Sequence, residues 1–155
     1  MIMISTQEMQ QLEGTCGMPK IILMENAGKA VYKILNEKFN LKDKSILVVA
    51  YHGNNGGDGF VAARHLCDDA EVDVMFIGDE KKLKEEALAN FKKIEHNEKI
   101  QFLSLEAVDF SDYDMIIDAI FGTGITGEIK DPLATLISKL NKAKAYKVSI
   151  DVPSG

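Results

Sequence analysis

Short apolar runs, each about as long as a β-strand, recur along the chain. Five of them are predicted to form strands: SILVVA (45–50), EVDVMFI (71–77), IQFLS (100–104), DMIIDAI (114–120) and KVSID (147–151). The first run carries no charge, which is typical of a strand buried on both faces. Glycine and polar turn residues follow four of the runs, as expected where strands end.

Between these runs, apolar residues recur with helical spacing. One helix is predicted to begin at Pro19, because proline is favourable at a first helical position. Its apolar stripe is predicted from the spacing of Ala27, Ala30, Val31, Ile34 and Leu35. Ser5 and Glu8 have capping-box spacing and predict a short helix from Thr6 towards Gly17.

Three further helices are predicted in the rest of the chain. They run through FVAARHLC (60–67), from about Asp79 to Glu95, and onward from Asp131 and Pro132. Strands that alternate with helices over this length predict an α/β fold with a parallel sheet and right-handed crossovers.

Length, composition and charge restrict the class of protein. A chain of 155 residues suits one domain. No apolar run approaches the roughly 20 residues of a membrane span, and no secretion signal is recognisable at the start. With two cysteines, no disulfide framework is implied, so a cytoplasmic location is expected. The net charge of −6 argues against a general nucleic-acid surface.

Three of the predicted strands end in unusual chemistry, namely NNGGDG (54–59), DAIFGTG (118–124) and DVPSG (151–155). In a parallel sheet all three lie on the rim where α/β proteins bind ligands. Glycines there allow positive φ and close approach of a ligand, and helix amino termini bind anions. Oxygen atoms of Asn55, Asp118 and Ser154 are hard ligands that suit an alkali or alkaline-earth cation.

Familiar nucleotide motifs fit poorly. A P-loop needs Gly-Lys followed by Ser or Thr, and the run from Gly53 to Phe60 has no lysine. The dinucleotide fingerprint G-x-G-x-x-G is also absent, which disfavours an ordinary NAD-binding domain. Asp79 stands where a ribose-binding acid would sit in such a domain, but it equally suits a helix cap.

Four motifs in order, LMENAG (23–28), GNNGGDGFVAARHL (53–66), DAIFGTGITGEI (118–129) and IDVPSG (150–155), resemble the YjeF N-terminal domain family, the NAD(P)H-hydrate epimerases. The resemblance implies a three-layer αβα Rossmann-like fold with a mainly parallel sheet. It also implies interconversion of the R and S epimers of NADHX and NADPHX, hydrated cofactors with a hydroxyl at C6 of the nicotinamide ring. Such an epimerase repairs nicotinamide nucleotides ahead of a dehydratase, fused or separate. A homodimer is expected.

The resemblance also implies the site residues. Potassium would be bound by Asn55, Asp118 and Ser154. Substrate contacts would come from Asn54, Asn55, Gly56, Gly57 and Asp58, and from Gly122, Thr123, Gly124, Ile125, Thr126, Gly127 and Glu128. Asp151 would face the nicotinamide ring and act as the acid and base.

Several of these residues also have ordinary structural explanations. Asn-Gly and Asp-Gly pairs are common in tight turns, and Asp118 or Asp151 would suit a strand end. His52 and His65 are expected to be structural, and the MENAG segment (24–28) is expected to pack rather than to take part in chemistry. Some family members present a lysine to the substrate after the second strand. The segment FIGDEKK (76–82) leaves open whether Lys81 or Lys82 does so.

Two expectations concern the chain as a whole. The family normally continues beyond the position that matches Gly155, so residues 1–155 are expected to be a YjeF N-terminal domain that lacks its C-terminal portion. The competing function is a non-catalytic YjeF-N-like scaffold that binds protein or RNA. Retention of the glycine segment together with Asp118, Asp151 and Ser154 favours the enzyme.

Overall fold

The computed structural model describes residues 17–155, so the helix predicted from Thr6 lies outside the described residues. The strands are β1 (Ser45–Ala50), β2 (Glu71–Phe76), β3 (Ile100–Phe102), β4 (Met115–Ala119) and β5 (Tyr146–Ser149). They form one sheet in the order β3-β2-β1-β4-β5, and every neighbouring pair is parallel. The predicted α/β fold with a parallel sheet is confirmed.

Helices cover both faces of this sheet. Those within the described residues are α1 (Lys20–Lys38), α2 (Asn54–Leu66), α3 (Glu85–Glu95) and α4 (Leu133–Lys142). Two short 3₁₀ turns, Glu80–Lys82 and Phe110–Asp112, complete the regular structure. No helix among residues 17–155 is long and apolar enough to cross a membrane.

Strand β1 shows why the sheet needs cover on both sides. Ile46 and Val48 pack into a core formed with α1, α2 and α3. Leu47 and Val49, which point the other way, pack into a second core with α4. Because neighbouring strand residues point to opposite faces, an uninterrupted apolar run is what a doubly covered strand requires. The three-layer αβα arrangement is thereby confirmed.

The buried face of α1 differs from the predicted stripe. Leu35 is buried, but Ala30 is exposed and Ile34 is 51% exposed to solvent. The reason is that α1 packs closely on α2, where a Cβ added at Gly28 would lie 2.4 Å from the Cβ of Val61. Close contact through a glycine turns the helix so that the Gly28 side faces inward.

The predicted charged helix from Asp79 to Glu95 is interrupted. Asp79 caps a 3₁₀ turn by accepting a hydrogen bond from the Lys81 N–H at 3.0 Å. Leu83 then adopts an extended conformation and is buried, and α3 begins only at Glu85. Burial of one leucine in the core thus ends the first turn and restarts the helix.

Candidate functional site

Helix α2 begins inside the glycine segment rather than after it. The predicted helix began near Phe60, whereas the observed one starts at Asn54 with Gly53 as its extended N-cap. The Gly57 N–H donates to the Gly53 carbonyl at 3.2 Å and closes the first turn. NNGGDG therefore forms the amino end of a helix, where unpaired N–H groups attract anions.

Close packing explains the glycines of this segment. A Cβ at Gly56 would lie 1.8 Å from the Tyr51 carbonyl oxygen, one at Gly57 would meet Met24, and one at Gly59 would lie 2.6 Å from the Cβ of Ala119. The expectation of positive φ was wrong for this segment, and the glycines with positive φ among residues 17–155 are Gly17 and Gly127. Glycine occupies these three positions because the helix end packs too closely on its neighbours to admit a Cβ.

A cleft of about 900 Å³ opens at the carboxyl ends of β1, β4 and β5. The predicted site residues that line it are Asn54, Asn55, Asp58, Gly122, Thr123, Gly124, Ile125 and Asp151. The predicted substrate contacts that do not line it are Gly56, Gly57, Thr126, Gly127 and Glu128, and the predicted metal ligands Asp118 and Ser154 do not line it either. Substrate contacts by both groups stay predictions.

The three predicted metal ligands converge on the turn after β4. The Ser154 hydroxyl donates to Asp118 Oδ1 at 2.6 Å, and the Ser154 N–H donates to Asp118 Oδ2 at 2.8 Å. Ser154 Oγ also accepts from the Phe121 N–H at 3.0 Å, and the Asn55 amide donates to the Phe121 carbonyl at the same distance. The Phe121 backbone thus connects Asn55 to the Ser154–Asp118 pair.

Asn55 carries a feature that internal hydrogen bonding leaves unexplained. The residue is 7% exposed, and its carbonyl oxygen Oδ1 is buried without a hydrogen-bond partner among residues 17–155. A buried polar atom without a partner costs free energy, so such an atom calls for an explanation. No group of three or more His, Cys, Asp or Glu side chains that could hold a metal ion occurs in the described part of the chain. Amide, hydroxyl and single carboxylate oxygens suit a hard monovalent cation, so these residues fit potassium.

Asp151 lines the cleft and has an unusual backbone conformation. Its φ of 68° falls in the left-handed region, which few residues other than glycine adopt. Its Oδ2 accepts a hydrogen bond from the Thr123 N–H at 2.9 Å. A Cβ at Gly122 would lie 2.7 Å from the same oxygen. Gly122 therefore leaves room for this carboxylate, which is exposed to a ligand in the cleft.

Sequence reasoning missed a group of cleft residues whose position depends on the tertiary fold. It comprises Ala27, Val31, Tyr51, His52, Gly53, Lys84, Ile120, Phe121, Ser149 and Ile150. His52, expected to be structural, is half-buried and lines the cleft. Its position one residue before the GNNGGDG motif was the signal available in the sequence.

Lys84 lines the cleft, whereas neither Lys81 nor Lys82 does. The interruption at Leu83 is responsible, because it separates the 3₁₀ turn from α3 and leaves Lys84 as the residue just before that helix. Of these three lysines, Lys84 is therefore the one placed to contact a ligand in the cleft.

Glu25 of the MENAG segment and His65 lie in the packing between α1 and α2, whereas Ala27 of the same segment lines the cleft. Glu25 accepts a hydrogen bond from Arg64 and pairs with His65 Nε2 at 2.8 Å. Burial alone raises the pKa of Glu25, but hydrogen bonding to His65 and the charge of Arg64 outweigh it and lower the pKa overall. These contacts join two helices behind the cleft.

Comparisons with known proteins agree with this geometry. The family model described as YjeF-related protein N-terminus matches residues 20–155. An NAD(P)H-hydrate epimerase of Nitrosopumilus maritimus is 41% identical over 98% of this chain and 74% of its own length. One of Cenarchaeum symbiosum is 40% identical with the same coverage of each chain.

Two further likenesses extend the picture. The bifunctional NAD(P)H-hydrate repair enzyme Nnr of Archaeoglobus fulgidus is 38% identical, and this chain spans 32% of its length. The crystal structure of yeast ynu0 superimposes with a TM-score of 0.86 at 26% identity. That match covers 100% of this chain and 72% of the yeast chain.

Proposed function

The chain belongs to the family of YjeF-related protein N-termini, and from this premise we propose that it is an NAD(P)H-hydrate epimerase. This isomerase interconverts the R and S epimers of NADHX and NADPHX. One observation carries the proposal: the segments that follow β1, β4 and β5 line one cleft together, and the Asp151 carboxylate is among the groups that line it. Relatives named NAD(P)H-hydrate epimerase align with 98% of this chain.

The reaction requires a proton carrier near C6 of the reduced, hydrated nicotinamide ring. The lone pair of ring nitrogen N1 expels the C6 hydroxyl and leaves an iminium ion, and water adding to the opposite face gives the other epimer. Asp151 protonates the departing hydroxide and later takes a proton from the incoming water. Because Thr123 N–H binds Oδ2, Oδ1 is the oxygen that remains for proton transfer.

The amino end of α2 suits the phosphates of the substrate. Gly53, Asn54 and Asn55 line the cleft where the first turn of the helix presents unpaired N–H groups. These groups and the helix dipole favour a negative charge. Local dipoles therefore bind an anionic dinucleotide on a protein whose net charge is −6.

Potassium is the cofactor that we propose for this site. Asn55 Oδ1, Asp118 and Ser154 would hold it, and the buried amide oxygen without a partner supports this assignment. When bound, the ion offsets phosphate charge and steadies the surrounding turns. Asp118 and Ser154 already connect the end of β4 to the segment after β5, which keeps Asp151 in place.

We further propose that the S epimer passes to a dehydratase, either fused or separate. The bifunctional name of the Archaeoglobus relative supports a fused arrangement in some members. The homodimer and the cytoplasmic location stay predictions.

The test is to incubate the protein with purified R-NADHX and to follow the S epimer by coupling to an S-specific dehydratase. We expect coupled consumption of the R epimer well above the rate in buffer, and the same for R-NADPHX. An Asp112→Asn control, which removes an exposed carboxylate in the second 3₁₀ turn, should match the wild type. A rate no higher than the uncatalysed rate in buffer would overturn the proposed epimerase activity and favour the non-catalytic scaffold.

A further inference from the structure

Three aromatic side chains form a row along the cleft, and the reaction described above gives them no role. The rings of Phe121 and Tyr51 meet edge to face with their centroids 5.6 Å apart. The rings of Tyr51 and His52 lie 3.8 Å apart at an angle of 37°. All three residues line the cleft. The row therefore offers ring surface to a ligand.

The two ends of this aromatic row lie at different parts of the rim. Phe121 precedes Gly122, the residue that lies against the Asp151 carboxylate. His52 lies at the other end, where a Cβ at Gly78 would come within 2.7 Å of its backbone nitrogen. The row thus leads from the candidate reacting group to the loop that follows β2.

The His52 ring is held in one orientation. The Asp79 N–H donates to His52 Nδ1 at 3.4 Å, which places the proton of a neutral imidazole on Nε2. Burial lowers the pKa of His52, the charge of Lys82 lowers it further, and Asp79 opposes them. The neutral His52 ring therefore accepts at Nδ1 and carries its proton on Nε2.

The proposed substrate has two rings of different character at its two ends. Addition of water saturates C5 and C6 of the nicotinamide ring and leaves it non-planar there, whereas adenine keeps a full π face. If the hydrated ring lies at Asp151, the adenine of the same dinucleotide extends away from it. The aromatic row leads in that direction and ends at His52.

We propose that Tyr51 and His52 form the adenine subsite of this protein, with the adenine ring stacked on the His52 imidazole. The assignment rests on the proposed function, which supplies the dinucleotide. Aromatic stacking of a base is worth roughly 5- to 150-fold in affinity when tested by alanine substitution. His52 lies outside the GNNGGDG motif, so the subsite is a property of this chain rather than of the glycine segment.

The first test measures binding of ADP-ribose, which carries adenine but no nicotinamide, by isothermal titration calorimetry. We expect His52→Ala and His52→Gln to weaken binding by roughly 5- to 150-fold, because both remove the ring. His52→Phe keeps a ring and should stay close to the wild type. His96→Ala, an exposed histidine at the end of α3, is the control. Equal affinity of wild type and His52→Ala, or no binding by the wild type, would overturn the subsite.

The second test compares NADHX with a truncated substrate, the hydrated form of reduced nicotinamide mononucleotide, which lacks adenine. His52→Ala should raise KM for NADHX, leave kcat nearly unchanged, and leave the truncated substrate unaffected. Equal losses on both substrates would show that His52 acts elsewhere. Because ADP-ribose binding needs no turnover, an inactive wild type that binds it through His52 would overturn the epimerase and leave the adenine subsite standing.

Discussion

Asp151 holds a backbone conformation that restricts the substitutions able to test its role. Asparagine and aspartate accept the left-handed region better than most residues, so Asp151→Asn keeps the φ of 68°. It also keeps an oxygen for the Thr123 N–H. Any loss of rate then reports the missing proton carrier and not a displaced turn.

For Asp151→Asn we therefore expect epimerisation of NADHX to fall roughly 10²- to 10⁴-fold, with a melting temperature close to that of the wild type. Steady-state rates and thermal melts provide the measurement, with Asp112→Asn as the matched carboxylate control. A variant with normal turnover would remove Asp151 from the mechanism.

Asn55 allows a test of the cation that does not depend on activity. An ion that binds only the folded protein stabilises it by RT ln(1 + L/Kd), where L is the free ion concentration. We expect the wild-type melting temperature to rise in potassium chloride relative to choline chloride at equal ionic strength. Asn55→Ala should abolish this difference because it removes the buried oxygen. A wild type that melts identically in both salts would contradict the potassium site.

At the level of elements, the contact between α2 and β4 leaves no room for a side chain at Gly59. Alanine at an ordinary helical position stabilises by about 1 kcal/mol over glycine, whereas overpacking costs about 1–3 kcal/mol. With a Cβ only 2.6 Å from that of Ala119, the overpacking term prevails. Gly59→Ala should destabilise the protein in urea unfolding. Gly124→Ala, where nothing lies within 4 Å, should leave stability nearly unchanged, and equal effects would refute the steric explanation.

The junction of α1 and α2 carries a pH-dependent contribution. The pKa of Glu25 is lowered from its ordinary value of 4.5 in the folded protein. The contacts of Glu25 with His65 and Arg64 therefore stabilise the fold above about pH 4.5. This stabilisation is lost as the pH falls through the lower pKa that Glu25 has in the folded protein. Glu25→Gln should flatten the acid limb of stability against pH, measured by urea unfolding. Glu37→Gln, on the exposed end of α1, should not, and an identical acid limb in both variants would contradict the linkage.

For the molecule as a whole, the sequence predicted the architecture better than the details of the site. Apolar runs such as 45–50 and 114–120 predict strands because burial on both faces requires them. The sequence predicts too late a start for α2 because glycine is a poor helix former. The close contacts at Gly56 and Gly59, which only the structure reveals, are what require glycine at these helical positions. His52 and Lys84 were missed as cleft residues because their neighbours are distant in the chain.

The close packing of α2 also bears on how the molecule moves. Glycine-rich segments are commonly regarded as hinges, yet this one is a buried helical turn pressed against its neighbours. In hydrogen–deuterium exchange, the amides of residues 57–63 should therefore be among the slowest to exchange, while residues 124–128, all exposed, should exchange rapidly. If the cleft moves to admit a dinucleotide, the segment after β4 is therefore the part that moves. The amino end of α2, where the phosphates are proposed to bind, stays rigid.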